Sequence, residues 1–396
     1  MARIGIDATA IGAMHKGAAR DQKNIIWSLS LLTGAHEYFV FHRTSDAIPI
    51  SSEQDRWHFI RVSFPLAFIW EQIQIPLLIR KYRLDVFHKT SDRMPIFASA
   101  PVIMSLAEIP IYRLELNKKL GLHDQWYQGL SEFWTRFVFP YSLWKAKVII
   151  AFSEFTKRDL IDKFQVPAEK IKAAYLAHDP IFKPASSELV CADIRRRVTG
   201  GHRYLLHFST GDARENTTTA LEAFQLAKRE IDESVKLVIA GVKPKREYLD
   251  RLLEKTRTIK DSIVCLNFVP DEQLVELYQG ADAYLDPSLY EGFGYQPLEA
   301  MACGAPVIAS QVTAIPEVVG DAGILISPAD VSGFARAIIT VMTNAQVRDE
   351  LRRKGLMQAT HYSWRQMAQT ILESIDEILG ERESASACAE QFHGQS

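Results

Sequence analysis

Short apolar runs recur along the chain, and between several of them apolar positions return every three to four residues. The runs Arg3–Ile6, Tyr38–Phe41, Asp85–His88, Pro101–Leu106 and Lys147–Ala151 predict β-strands. Gln22–Leu32 and Trp70–Tyr82 carry the helical period between strands of this series. A second series begins at Tyr204–Phe208 and continues through Val235–Ala240, Ile263–Asn267, Ala283–Asp286 and Pro306–Ala309, with helices at Thr217–Ile231 and Asp271–Gln279. Strands joined through helices form parallel sheets with right-handed crossovers. Two such series predict two doubly wound α/β domains, whose ligands bind beyond the carboxyl ends of the strands. Turn residues at Ala177–Pro180 and Pro184–Ser187 place the break near residues 177–200. The domains expected are 1–180 and 181–365, followed by a helix over 366–380 and a tail over 381–396 that reads as disordered from its Ser, Ala and Glu content.

A length of 396 residues fits two domains at about 100–200 residues each. Hydrophobic residues at 47% and charged residues at 24% exclude a fibrous or wholly disordered chain. A net charge of −2 argues against a dedicated nucleic-acid binder. The charge is uneven: residues 1–180 hold 23 lysines and arginines against 18 acids, the remainder 23 against 30. The basic half suits an anionic partner such as an acidic lipid surface, with ordinary surface variation as the equal alternative. Cys191, Cys265, Cys303 and Cys388 have no metal-clip spacing. The opening Met-Ala-Arg-Ile-Gly-Ile-Asp reads as a first strand and not a signal peptide, and no run approaches the roughly 18 apolar residues of a membrane span. The compartment expected is cytoplasmic, with peripheral contact on the inner face of the membrane as an extension.

The segment richest in chemistry is Asp286–Ser310. A strand ends near Asp286, a glycine-bearing loop follows, and a helix is expected to start around Pro297, whose missing N–H costs nothing in a first turn. Gly304 suits the left-handed stop. The helix amino terminus makes an anion site. Gly292 and Gly294 let backbone approach a ligand. Glu291 on the loop and Glu299 on the expected first turn suit sugar hydroxyls, which carboxylates accept, better than phosphate. Together these groups describe a nucleotide-sugar pocket. Two glutamates at this spacing alone are also ordinary helix chemistry.

Three other features carry weaker signals. His88 ends a strand, as an acceptor-side group or as a structural histidine. Trp126–Trp144 mixes aromatics with Arg136 and Lys145; a membrane-resting face and a core helix pair are both open, and core is the commoner outcome. The chain shows no serine or cysteine hydrolase constellation.

The string Glu291-Gly-Phe-Gly…Leu-Glu299-Ala-Met-Ala-Cys-Gly304 resembles the E-x7-E signature of retaining glycosyltransferases of family 4, which have the GT-B fold. The resemblance extends through Ile315–Gly323, Trp70-Glu-Gln, Asp85-Val-Phe-His88, Ile150–Thr156 and Ser363-Trp364. It implies two Rossmann-like domains facing a central cleft, the first binding the acceptor and the second the nucleotide-sugar donor, with the C-terminal helix crossing back to the first. It implies transfer of a hexosyl group, mannosyl, glucosyl or similar, from a nucleotide diphosphate to an acceptor hydroxyl with retention, in bacterial polysaccharide, glycolipid or glycoconjugate assembly. The acceptor would be a sugar, an oligosaccharide or a lipid-linked molecule.

At matched positions the resemblance makes Glu291 and Arg214 catalytic. Glu291 would contact donor-sugar hydroxyls, Arg214 the diphosphate, and Glu299 the ribose. Backbone of Gly292, Phe293, Gly294 and Tyr295 would face sugar and diphosphate, with Val269 near the base. Gly17 and Arg20 match a glycine-rich loop beside the donor phosphates. His88 and Glu108 are the acceptor-side candidates. No cofactor and no essential metal are implied, since the chain has no Asp-x-Asp pair. Three positions depart from the pattern. Glu215 stands where a lysine is usual, so Arg214 must do more or Lys243 assist. Ala107-Glu108 replaces a usual His-Asp. Tyr295-Gln296-Pro297 replaces Leu-Pro-Val. These departures motivate an alternative, a catalytically degraded GT-B protein that binds a nucleotide sugar or a partner.

Overall fold

The protein is described here by a computed structural model, which covers all residues except 13–15, 33–35, 45–47, 49, 51–53, 65, 113–114, 116–131, 243–252, 255 and 394–396. The chain divides into two compact units. The first comprises Met1–Ile111, His123–Leu176 and Ser363–Ser396, the second Tyr112–Leu122 and Ala177–Tyr362.

The first unit holds a seven-stranded parallel sheet in the order β3-β2-β1-β4-β5-β6-β7. Its strands are β1 Arg3–Ala8, β2 Glu37–His42, β3 Trp57–Arg61, β4 Val86–Lys89, β5 Val102–Leu106, β6 Val148–Ala151 and β7 Ile171–Ala173. The second unit holds a six-stranded parallel sheet in the order β10-β9-β8-β11-β12-β13. These strands are β8 Tyr204–Phe208, β9 Lys236–Ala240, β10 Ile263–Cys265, β11 Ala283–Asp286, β12 Val307–Ser310 and β13 Gly323–Ile326. Central strands such as β4, β5, β6, β11 and β12 are buried at every position. Such strands lie between helical layers, which is why they read as continuous apolar runs. In the second unit Phe224, Leu237, Ile239, Leu285, Ile308, Phe334 and Ile338 pack into one core.

The ten strands read from the sequence are all present. Three strands lack a strong pattern: β3 exposes most of its residues at a sheet edge, β7 has three residues, and β13 follows turn-forming Gly320-Asp-Ala-Gly323. In both sheets the order reverses beside the first strand, between β1 and β4 and between β8 and β11. A crevice opens at such a switch point because the crossovers leave to opposite faces.

The helical stretch Trp70–Tyr82 is two elements. Trp70–Gln74 is a π-helical turn, and an α-helix follows over Ile75–Lys81 with Pro76 in its first turn. Gly17 and Arg20 lie inside the helix Lys16–Leu31 and not in a loop, because residues 16–20 already hold helical backbone. The tail expected to be disordered from 381 continues the helix Trp364–His393. Arg382 donates to the Asp85 carbonyl at 2.9 Å, and Glu381 pairs with Lys147. Lys172–Glu377 at 2.8 Å and His36–Asp376 at 3.0 Å anchor the preceding turns, so this helix is counted within the first unit.

The stretch expected to be an ordinary core pair departs from that reading where it is described. Phe139 and Leu143 are buried, but Phe133, Phe137 and Trp144 are 56%, 65% and 70% exposed. A π-helical turn at Trp134–Val138 interrupts the α-helical period there. Residues 126–131 lie outside the described residues. Among the described residues no helix is long and apolar enough to cross a membrane.

Candidate active site on the second unit

The site is built from the loops that leave β8 and β11, the two strands beside the switch point. After β8 the chain runs through Ser209–Asp212, a 3₁₀ turn at Ala213–Glu215, and the helix Thr217–Ala227. Asp212 caps the turn by accepting from the Arg214 N–H at 3.0 Å. The same carboxylate takes the Arg214 guanidinium through Nε and Nη2 at 3.1–3.3 Å. Arg214 is thus held in one orientation by a fork-to-carboxylate pair, the geometry that gives arginine its directionality.

Glu215 is the staple of this loop. Its carboxylate accepts from Thr210 N at 2.8 Å, Thr210 Oγ1 at 2.7 Å, Asp212 N at 3.1 Å and Ser209 Oγ at 3.1 Å. Burial pushes its carboxyl above the ordinary value, against the hydrogen bonds from Thr210 that pull it down. The lysine usual at this position in the resembling family could accept none of these bonds. Replacing Glu215 with lysine is therefore expected to lower stability by about 2–3 kcal/mol, since four part-buried donors lose their acceptor. Urea unfolding of the Glu215→Lys variant measures this; an unchanged midpoint would show that the loop needs no staple.

After β11 the chain turns sharply. Asp286, 4% exposed, accepts from Ser288 N at 3.2 Å and from Ser288 Oγ. The two loops are stitched together. Leu289 N donates to Arg214 O at 2.7 Å, and Asn216 Nδ2 donates to Pro287 O at 2.9 Å and Pro328 O at 3.2 Å. Asn216 does so from left-handed backbone at φ 50°, a conformation asparagine tolerates better than most residues. Beneath them His207 bridges Leu285 O at 3.0 Å and Thr217 Oγ1 at 3.1 Å; burial pulls its pKa down to about 4, so it is neutral.

Glu291 is positioned by its backbone. Its N–H donates to Thr313 Oγ1 at 3.0 Å, and its carbonyl accepts from Ala314 N at 3.4 Å. The helix begins at Tyr295, two residues before Pro297, because Gly294 at φ 111° ends the loop there. Glu299 consequently sits one turn in and is 2% exposed, not on the first turn as expected. Phe293 is buried edge-on against Tyr295 and Tyr362, ring centroids 5.5 and 5.9 Å away. Tyr362 in turn donates to Glu317 O at 2.8 Å. Gly292 is also buried. The Tyr295 ring therefore packs, which accounts for an aromatic at a position where leucine is usual.

A side chain at position 294 would have ordinary space, with the nearest atoms at 3.8–3.9 Å, but the wrong backbone. Gly294→Ala is expected to cost about 1–2 kcal/mol and to re-aim the helix start. A thermal melt reads the first effect, and nucleotide titration reads the second.

The structure thus brings Arg214, Glu291, Gly292, Phe293, Gly294, Tyr295 and Glu299 onto two interlocked loops and one helix start. Val269 is buried just before the helix Asp271–Gly280. Lys243 lies outside the described residues. Gly17, Arg20, His88 and Glu108 belong to the first unit. There His88 is fully buried with Nε2 at 2.8 Å from Ser105 Oγ, and burial lowers its pKa to about 4. Sequence reading missed Thr313, Asn216 and Tyr362, whose roles depend on loops distant in the chain. Among the described residues no group of three His, Cys, Asp or Glu gathers in a metal-binding arrangement.

Two parallel, doubly wound Rossmann-like domains with their chemistry at the strand carboxyl ends define the GT-B class. Residues 195–357, which carry all of the loops just described, match the family of glycosyl transferases group 1. The chain is 35% identical over 223 residues to O-antigen chain mannosyltransferase B of Escherichia coli, covering 56% of this chain and 58% of that protein. It is 26% identical over 276 residues to a serotype-specific mannosyltransferase of Escherichia coli, covering 69% of this chain and 33% of that one. It therefore spans less than two thirds of the length of either relative. Among solved structures, sucrose-phosphate synthase from Thermosynechococcus elongatus superposes with a TM-score of 0.72 at 16% identity, covering 96% of this chain and 100% of that one. An Anabaena protein solved with UDP and glucose superposes with a TM-score of 0.70 at 17% identity, covering 95% and 100%. These structures share the fold.

Proposed function

We propose that the protein is a retaining hexosyltransferase that moves a mannosyl or similar group from a nucleotide-diphosphate sugar to an acceptor hydroxyl in polysaccharide assembly. The observation that carries this reading is the interlocking of the Arg214 loop with the Glu291–Tyr295 loop at the β8/β11 switch point. A cation oriented by Asp212 and a helix amino terminus offer positive potential for a diphosphate, and Glu291 offers acceptors for sugar hydroxyls beside them. The relatives named as O-antigen and serotype-specific mannosyltransferases support mannose as the sugar and polysaccharide as the context.

Bond breaking at the anomeric carbon develops oxocarbenium character on the sugar and negative charge on the leaving diphosphate. Arg214 and the start of the helix Tyr295–Ala302 stabilise that charge through donors fixed before the reaction begins. Glu291 orients the sugar through its hydroxyls, and Glu299 holds the ribose. The leaving phosphate oxygen takes the acceptor proton on the same face, so no side-chain nucleophile and no metal are needed. The staple role of Glu215 accounts for the departure that would otherwise suggest a degraded site. Exposed Phe133, Phe137 and Trp144 beside Arg136 and Lys145 support peripheral contact with an anionic membrane.

The test is a thermal-shift screen of UDP, GDP, TDP, UDP-glucose and GDP-mannose in chelator, followed by product analysis with the nucleotide sugar that binds. A ligand specific to the folded state raises its apparent stability. Stabilisation by one nucleotide family, lost in Glu299→Ala, is expected. Absence of any shift at millimolar ligand would sink the reading in favour of a chain that binds a partner instead.

A further inference from the structure

A run of hydrogen-bonding groups leads from the Arg214 loop into the interior of the second unit, and it is one proton short. Glu215 Oε1 lies 2.7 Å from Thr210 Oγ1, and Glu215 Oε2 lies 3.1 Å from Ser209 Oγ. Ser209 Oγ is 2.8 Å from Thr217 Oγ1, which is 3.1 Å from His207 Nε2. His207 Nδ1 must be the donor of the ring, because the atom 3.0 Å away is the Leu285 carbonyl oxygen. Near neutrality its Nε2 therefore accepts from Thr217. The hydroxyls of Thr210, Ser209 and Thr217 then bring three protons to four contacts.

With Glu215 ionised, Ser209 donates to the carboxylate and Thr217 donates to His207. The two hydroxyl oxygens at 2.8 Å then face each other with no proton between them. Ser209, Thr217 and His207 are all buried, so bulk water does not make good the deficit. A proton on Glu215 Oε2 does. Glu215 then donates to Ser209, Ser209 to Thr217 and Thr217 to His207, while Thr210 Oγ1 still donates to Oε1. Every contact in the run holds one proton in that state. A second proton on His207 would also complete the count, but burial pulls that imidazole down to about 4, whereas it raises the Glu215 carboxyl.

The surrounding charges favour the same state. Asp212 and Arg214 flank Glu215 in its own turn, and His207 faces it from β8 through the two hydroxyls. From β11 and the loop that follows come Tyr284, Asp286 and Glu291; burial first, then Asp286, Tyr278, Glu291 and Glu215, raise the Tyr284 hydroxyl. Arg214 is the cation of this set, and the rest of its charge is carboxylate. With Glu215 ionised, the turn Asp212-Ala-Arg-Glu215 is net negative beside the place proposed for a diphosphate; with Glu215 protonated it is neutral. Resting on the proposed transferase function, we propose that Glu215 is a positioning residue that works as a neutral acid: by taking up one proton from solvent as the nucleotide sugar binds, it closes the run to His207, holds the Arg214 loop and withdraws a negative charge from the diphosphate.

The test is calorimetric titration of the full chain with GDP-mannose, UDP-glucose and TDP-glucose from pH 5.5 to 8.5, a range over which a nucleotide sugar keeps the charge of its diphosphate. The wild type should bind one of them progressively more weakly as pH rises, the loss approaching about tenfold per pH unit, the limit for one linked proton. Titrations in two buffers of different ionisation enthalpy should show proton uptake on binding. Glu215→Gln, whose amide N–H can donate to Ser209 at every pH, should change affinity less than about twofold over the range and take up no proton. A second measurement needs no ligand. A carboxyl raised in the folded chain contributes stability that is present below its ordinary 4.5 and lost as pH rises through its folded value, so the urea midpoint of the wild type should fall relative to Glu215→Gln as pH rises. Should Glu215→Gln fail to fold, Thr217→Val carries the test: with the competing hydroxyl gone, Ser209 serves the carboxylate, and the fall in affinity should begin at a lower pH than in the wild type. Nucleotide-sugar affinity that is flat with pH in the wild type, that falls equally in Glu215→Gln, or that falls unaltered in Thr217→Val overturns the proposal and leaves the transferase reading standing. A midpoint difference that stays constant with pH overturns it too. Failure of all three nucleotide sugars to bind at any pH overturns the transferase reading and this coupling together.

Discussion

Replacing Arg214 with alanine is expected to lower kcat about 100–1,000-fold while changing the donor KM far less, the signature of a donor group whose contact strengthens as charge develops. The size of the effect follows from how the group is held. Asp212 fixes the guanidinium by hydrogen bonds of 3.1–3.3 Å and also caps the turn that carries it. In the proposed reaction the leaving diphosphate would meet a donor already oriented, with no reorganisation at the moment of bond breaking. Arg214→Lys should recover only part of the loss, because an ammonium is a point charge without the planar fork. Asp212→Asn should fall between, with the turn capped and the fork loosened. Steady-state kinetics on the three variants, with urea unfolding alongside, separates these effects. A fall in kcat/KM carried by KM alone would assign Arg214 to uniform substrate binding.

Asp7→Ala is expected to cost about 3–5 kcal/mol of stability, since it strands a buried ammonium without its counter-charge. Burial alone would raise Asp7, but the charge and hydrogen bond of Lys89, together with Thr9, hold it below its ordinary 3.8. Burial alone would lower Lys89, but Asp7 and Glu71 hold it above its ordinary 10.5. The sign follows for each partner. The depressed Asp7 contributes stability that is present above 3.8 and lost as pH falls through its lower folded value. The raised Lys89 contributes stability that is present below 10.5 and lost as pH rises through its higher folded value. Between those limits the pair adds no pH dependence in the wild type. In Asp7→Ala the unpaired Lys89 is pulled down by burial, so the variant should gain stability as pH rises from 7 toward 9. The double variant Asp7→Leu/Lys89→Met should recover most of the loss, because replacing both partners leaves no orphan charge. Urea midpoints at three pH values test all of this. A single-variant loss under about 1 kcal/mol would mean that Glu71 or water takes over as partner.

Local pattern determined much of this protein. The alternation of buried apolar runs with helical periods is enough to give two parallel-sheet domains, because a strand covered on both faces has to be apolar throughout. The glycines at 294 and 304 mark the end of the loop and the helix stop because φ values of 111° at Gly294 and 80° at Gly304 are local demands of the backbone. Glu291 and Arg214 are legible as polar groups in strand-to-helix loops. The edge strands β3 and β7 escape because an edge strand needs little burial, and the start at Tyr295 escapes because Pro297 is compatible with a helix beginning at either place.

Tertiary structure alone decided what those residues touch. The family comparison makes Glu215 a missing lysine, while the fold makes it a staple with four donors converging on it. His88 reads as a candidate at a strand end, and burial against Ser105 makes it a neutral interior group. Asp7, Glu71 and Lys89 are far apart in the chain and carry no spacing that links them. Their meeting follows from β1 and β4 becoming neighbours in the sheet, and from a π-helical turn laying Trp70 against Asp7. Backbone preferences and burial periods are short-range and survive in the sequence. The partners of a charged side chain are set by which strands become neighbours, and that is fixed only when the chain has folded.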